Sequence, residues 1–450
     1  MEKTTTMDKK EITHLQLPEW HKLAGATGWS GTFRIDEPGY AEITLLARSD
    51  SHWSLPDKES VLLTLEVDGE YNQTVVLFYG EEPFAYTRLL GRLEVVEHQL
   101  QLSFSEDSSP LAKCAWIKGV KIAVIPEDTS LGLIYRHAPV LYGRNLQDPF
   151  ESRYTDTPLL LIYRMEDASS GKLLEYHTIY SHEDAGTPAP LLMSKWGRLT
   201  DIEWTYRVLL DKTGEVVKAE YQAPHHETKE FAGLTALGGH PVLQSATDNG
   251  MVTDVPVSSY RFLLPPVYHW KPEVEPRERA MDEYPFTYQL MAWELLRQEA
   301  WERPCNPDTI KFTDPRHYLY VQTSAQHEAA VAERRTSIDI KVKRRGEKRW
   351  YSSSFNDCRA NGQRAAYDGP YPCFATTVKM PEGCSLEELE EVRVVLLPGG
   401  ADEILVKGLK LFYLTELFTP GEAVELEGSV NLTVQVPERT IWKADAAYVL

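Results

Sequence analysis

Apolar and polar residues alternate with a period of two along much of the chain, the pattern of strands that bury one face. In the first quarter it predicts strands over residues 41–47, 61–67, 73–78, 95–104 and 116–125, with Asp68-Gly69 as a hairpin turn. Strands of this length and spacing make a β-sandwich or jelly roll over residues 21–130, behind a loose polar tail at 1–20. Residues 126–132 read as a linker. A second β domain is expected over 131–270, with strands at 159–163, 174–181, 201–210 and 215–222. The turn Asp211-Lys212-Thr213-Gly214 joins the last two. Residues 271–313 hold a charged, proline-bearing connection and the best helix, 288–301, which Pro304 stops. A third β-rich domain covers 314–450, where Ile338, Ile340 and Val342 alternate with Asp339, Lys341 and Lys343. The fold class is mainly β: several β-sandwich or jelly-roll-like domains with one short helical segment.

The segment from Trp29 to Ile125 resembles the accessory β-sandwich domains of carbohydrate-active enzymes. The resemblance lies in Gly39-Tyr40 ahead of a strand, Val67-Asp68-Gly69, Leu89-Leu90-Gly91 and Val96-Glu97-His98-Gln99-Leu100.

Charge narrows the partners. A formal net charge of −20 argues against nucleic acid, which needs a local excess of Lys and Arg. The one basic run, Lys341 to Arg345 with Lys348 and Arg349, reads as a solvated hairpin tip. No stretch reaches the roughly 18–20 apolar residues of a membrane span. The first residues lack the apolar core of a signal peptide, so a cytoplasmic location is expected, or a secreted one had a signal been removed. Five cysteines without paired short spacings are not a disulfide scaffold, and all five are expected to be free thiols. The 11 Trp and 23 Tyr suit sugar binding as well as they suit sandwich cores.

The central domain gathers the candidate chemistry. His177, His182, His225, His226 and His240 are five of the 13 histidines and fall in one short span, beside expected strand ends. Along residues 201–210, parity sends Ile202, Trp204, Tyr206 and Val208 inward, and Asp201, Glu203, Thr205 and Arg207 outward. Asp201 and Glu203 would then share an open face, about 6–7 Å apart at Cα. That spacing suits coupled acid–base work or a shared cation. A wet face is also ordinary for an antiparallel sheet. No G-x-S-x-G, P-loop, G-x-G-x-x-G or H-E-x-x-H motif occurs.

Asp201-Ile202-Glu203-Trp204, then His225-His226, then Gly239-His240-Pro241-Val242, resemble a plan shared by two related groups. These are the necrosis-inducing, cytolysin-like proteins and a family related to a vacuolar-protein-sorting factor. The similarity covers residues 175–255. Here the tryptophan follows the glutamate instead of separating the two acids. The resemblance implies Asp201 and Glu203 as ligands of a hard cation such as Ca²⁺ or Mg²⁺, with the histidines nearby.

The expected function is a carbohydrate-active protein, a hydrolase or lyase acting on a glycan or glycoside, with a bound divalent cation. The alternative is a non-catalytic glycan- or protein-binding module, or a structural subunit of an assembly. Glu203 would be the general acid or base, Asp201 its partner, and His225 or His226 a second proton carrier. Trp196, Arg198, Tyr180 and Asn249 would hold the ligand, and His182, Asp184 and His240 a metal. Trp196 is the better platform, because Trp204 has inward parity.

Overall fold

The computed structural model describes residues 9–144, 157–182, 191–326, 338–356, 372–397 and 403–444. The chain divides into two compact units, 1–184 with 201–269, and 185–200 with 270–450. It is mainly β, built of antiparallel-dominated sheets with few helices.

In the first unit, β1 (Lys10–Leu23), β2 (Gly28–Arg34), β3 (Gly39–Ser49), β4 (Val61–Val67), β5 (Glu70–Leu77), β6 (Phe84–Leu93), β7 (Glu97–Phe104) and β8 (Ala115–Pro126) build two antiparallel sheets. Their orders are β1-β8-β3-β6 and β2-β7-β4-β5. The period of two is visible in β3, where Ala41, Ile43, Leu45 and Ala47 are all fully buried. Asp68 and Gly69 both take positive φ, 55° and 80°, as a two-residue type I′ hairpin requires.

Two expectations are corrected here. Residues 10–20 are not a loose tail but part of β1, whose backbone pairs with β8. Their signal is weak because Leu15 and Leu17 are only half-buried. Residues 126–132 are not a linker either. Thr129 accepts a hydrogen bond from Gly132 N (2.9 Å) and caps helix α1 (Ser130–Arg136). That helix buries Leu131, Ile134 and Tyr135.

The rest of the unit comprises β9 (Val140–Tyr142), β10 (Pro158–Ala168), β11 (Gly171–Tyr180), β12 (Ile202–Asp211), β13 (Val216–Ala223), β14 (Glu227–Glu230), β15 (Thr235–Ala236), β16 (His240–Ser245), β17 (Val252–Thr253), β18 (Arg261–Leu263) and β19 (Pro266–His269). One sheet runs β14-β13-β12-β11-β10-β19, and another runs β15-β16-β9-β18 with β17 on β16. Tyr163, Leu174, Tyr176, Tyr206 and Val208 share one buried cluster with Tyr40, Leu89 and Ile125 of the N-terminal sheets. The seam is tight at the backbone level. Arg92 N donates to Leu237 O (3.0 Å), and a Cβ on Gly238 (φ +86°) would lie 2.5 Å from Arg92 O. The Arg261 guanidinium donates to the carbonyls of Tyr71 (2.6 Å) and Asn72 (2.7 Å).

In the second unit, α2 (Leu192–Trp196), α3 (Arg279–Glu283) and α4 (Phe286–Arg297) accompany β20 (Tyr318–Gln326), β21 (Ile338–Arg344), β22 (Trp350–Ser352), β23 (Cys373–Lys379), β24 (Leu389–Leu396), β25 (Glu403–Phe412), β26 (Val424–Thr433) and β27 (Glu438–Lys443). The sheets are β23-β20-β25-β26 and β22-β21-β24-β27, around a core that includes Val321, Ile340, Val378, Val394 and Leu411. Residues 185–200 belong to this unit and not to the central domain. Thr376 and Thr377 of β23 donate to Ser194 O (2.6 Å) and Met193 O (2.8 Å) of α2. Cys114, Cys305, Cys373 and Cys384 are free thiols, and Cys358 lies outside the described residues. Among the described residues, no helix is long and apolar enough to cross a membrane.

Candidate functional site

The outward row expected along β12 is broken by a bulge. Tyr176 pairs with Tyr206 and His177 with Trp204, so Thr205 is an extra residue and the side-chain parity shifts there. Tyr206, Val208 and Leu210 face the core, as expected. Trp204 does not: it carries the Arg207 guanidinium 4.8 Å from its ring centroid. Asp201 precedes the strand and is 1% exposed, so the open pair of carboxylates expected from the alternation is absent. A Cβ on Gly250 (φ +70°) would lie 2.8 Å from Asp201 Oδ2 and 2.7 Å from the Tyr180 ring, so only glycine lets this loop close over them. The Tyr180 hydroxyl donates to Gly250 O (3.3 Å).

Glu203 is half-buried and accepts from Gln222 Nε2 at 2.8 Å. The same amide lies 2.7 Å from His226 Nδ1. His225 and His226 are exposed and both left-handed, at φ 66° and 59°, an uncommon backbone for two successive side-chain-bearing residues. The structure therefore brings Tyr180 to Asp201, and Glu203 to His226 through Gln222. Asn249 accepts from Thr247 Oγ1 within its own loop (2.8 Å).

The other expected site residues separate. His182 is 5% exposed and its Nδ1 meets Ser181 Oγ (2.9 Å). His240 is fully buried, donates Nδ1–H to Ala138 O (2.9 Å), and sets its ring 5.5 Å from that of Tyr40. Asp184 lies outside the described residues. Among those described, no three His, Cys, Asp or Glu side chains group to hold a metal. Arg198 is not available to a ligand. It is 2% exposed and ion-paired to Glu278 at 2.8 Å within the second unit. Trp196 belongs to the same unit and is half-buried, with Lys195 and Arg198 over its ring at 5.0 and 5.7 Å.

A row of charges crosses the sheet beside this cluster. Glu175, 2% exposed, accepts from Arg164 Nε (2.7 Å), His177 Nε2 (2.9 Å) and Arg207 Nη1 (3.2 Å). Arg207 in turn reaches Glu220 (2.8 Å). Burial alone would raise the Glu175 carboxyl, but the bonds and charges of His177 and Arg164 hold it far below the usual carboxylate range. This row satisfies itself and is structural.

The residues the alternation missed form a cleft of about 510 Å³. Its lining comes from both parts of the first unit: Tyr40 and Arg92 from β3 and β6, Arg136 and His137 from the end of α1, Tyr206, Lys218 and Phe231 from the six-stranded sheet and its edge. Phe231 meets Tyr206 edge-on, with ring centroids 5.4 Å apart. Arg92 is bridged to Glu127 (2.7 Å), and that hydrogen bond holds the Glu127 carboxyl below its usual range. His137 is brought down to about 4 by burial, then by the charges of Arg136 and His240. Burial brings His240 to about 4 as well, against the bond to Ala138. Both imidazoles are neutral near pH 7, and the Nε2 atom of each lacks a hydrogen-bond partner among the described residues. Elsewhere in the unit, a depression of about 550 Å³ beside Tyr221 and Gln244 has its polar groups committed. Asp254 there accepts from Ala232 N and Tyr221, and Gln244 bonds Gly143 O and Val257 N.

The fold and cleft define a multi-sheet β-sandwich protein with a cation-rich groove. No protein-family model matches the sequence, and no curated protein matches it, so the likeness to cytolysin-like proteins finds no support. Solved structures do show similarity over part of the chain. One is the CBM36-1 domain of a multidomain xylanase from the hindgut metagenome of Trinervitermes trinervoides, at 20% identity over 26% of this chain and 90% of that one, TM-score 0.19. Another is a carbohydrate-binding module CBM36 in complex with calcium and xylotriose, at 12% identity over 25% and 98%, TM-score 0.19. A third is a ruminal GH26 endo-beta-1,4-mannanase, at 14% identity over 33% and 26%, TM-score 0.20.

Proposed function

We propose that the first unit binds a polyhydroxylated, carbohydrate-like ligand in the 510 Å³ cleft and performs no chemistry on it. The observation that carries this reading is the composition of the lining. The half-buried ring of Phe231, packed edge-on against the buried Tyr206, stands beside the cationic groups of Arg92, Arg136 and Lys218. Apolar walls with a few convergent polar groups are what a small-molecule site needs. Sugars present both C–H faces and vicinal hydroxyls, which such a mixture accommodates.

Binding is favoured over hydrolysis because glycoside cleavage usually needs two carboxylates about 5–9.5 Å apart. The lining holds one, Glu230. The pair expected from the alternation supplies no substitute, since Asp201 is buried and Glu203 is engaged by Gln222. The test is a glycan array with the full chain, followed by calorimetry on the best ligand. Phe231→Ala is expected to weaken binding about tenfold. A ligand that binds equally to this variant, or that is cleaved on prolonged incubation, would overturn the reading.

A further inference from the structure

Three cations line the cleft, and two are committed. Arg92 pairs with Glu127 at 2.7 Å, and Lys218 with Glu220 at 2.5 Å. Arg136 differs: among the described residues it forms no ion pair, and its one hydrogen bond is a long one, from Nε to the Tyr40 hydroxyl (3.4 Å). The Glu127 carboxylate, bound by Arg92, feels the Arg136 charge, but among the described residues no carboxylate lies within ion-pair distance of this half-buried guanidinium, in a chain with 67 acidic and 47 basic residues. Guanidinium groups recognise carboxylate and phosphate through two parallel N–H donors. His137, the next residue, lines the same cleft but is 7% exposed, and its Nε2 atom is buried, so the imidazole forms part of the wall and Arg136 is the group open to a ligand.

We propose that the cleft selects an anionic sugar, with Arg136 taking its carboxylate or phosphate. This rests on reading the cleft as a carbohydrate site. The lone lining carboxylate, Glu230, is exposed and opposes such a ligand only weakly.

The experiment is calorimetry of the full chain with trigalacturonate, its fully methyl-esterified form, and glucose 6-phosphate. Trigalacturonate is expected to bind at least about tenfold more tightly than the ester, as a charge-assisted bidentate contact provides. Arg136→Gln should erase that difference, the acid losing at least about tenfold more affinity than the ester. Glu230→Gln should tighten the acid by a few-fold. Preference for glucose 6-phosphate over trigalacturonate would identify phosphate as the anion and also support the proposal. Equal affinity for acid and ester, or equal loss of both in Arg136→Gln, would overturn it and leave the carbohydrate reading standing. Failure of all three, together with neutral oligosaccharides, would remove the carbohydrate reading and this proposal with it.

Discussion

Glu175→Gln isolates the charge row from the cleft. The substitution keeps the shape and removes the one full charge that faces Arg164, His177 and Arg207 together. Removing one member of a buried pair costs about 3–5 kcal/mol when the partner is stranded. The loss here is smaller, because Arg164 and Arg207 are 12% and 25% exposed and keep Glu166 and Glu220. About 2–3 kcal/mol is therefore expected. For a unit of this size that is a fall of roughly 4–12 °C in the melting transition. Differential scanning calorimetry of the full chain reads it directly. Arg207→Gln should cost less when added to Glu175→Gln than on its own, because its bond to Glu175 is already gone. The folded carboxyl lies below its ordinary 4.5. Its contribution is thus complete above that pH and is lost as pH falls toward the folded value. A shift under about 2 °C for Glu175→Gln would mean that the Glu175 charge is not what holds Arg164, His177 and Arg207 together. Sugar affinity should be unchanged in Glu175→Gln, since none of these residues lines the cleft.

Three further outcomes follow from the same geometry. His137 and His240, both brought from 6.5 to about 4, leave the native state less able to bind protons than the unfolded chain. Stability should be full above about pH 6.5 and decline toward pH 4, by on the order of 3 kcal/mol per imidazole, and His240→Asn should flatten the denaturation profile across that window. Gly250→Ala forces a Cβ within 2.8 Å of the Asp201 carboxylate at φ +70°, so a loss of about 1–3 kcal/mol is expected by urea titration. Glu203→Gln should change thermal stability by less than about 1 kcal/mol and leave ligand affinity in the cleft unchanged. A catalytic Glu203 would instead reveal itself as turnover of a glycan by the native chain that this variant abolishes.

Most strands were legible because alternation and turn chemistry agree. Asp68-Gly69 turns as its residue types dictate, and Ala41, Ile43, Leu45 and Ala47 bury as their spacing does. The site was legible only in fragments. Tyr180 does meet the loop over Asp201, and Glu203 does connect to His226. The open carboxylate face failed because one extra residue at Thr205 shifts the parity, and a bulge leaves no compositional mark. Arg198 and Trp196 were lost because a five-residue helix docked on β23 offers too little periodicity to assign it to a neighbour. The cleft draws on residues as far apart as Tyr40, Arg136 and Phe231, so no local window contains it. One signal was available: Thr129 followed by Leu131, Ile134 and Tyr135 is a capped, helically spaced apolar stripe where a linker was expected.

A ligand site in the groove beside Arg136, His137 and Phe231 can be observed directly. The most direct test is a crystal of the full chain soaked with the tightest glycan from the array. Sugar density is expected in that groove, with a ring against Phe231 and an anionic group on Arg136. Ordered sugar elsewhere with an empty groove, for instance beside Glu203 and His226, would contradict it.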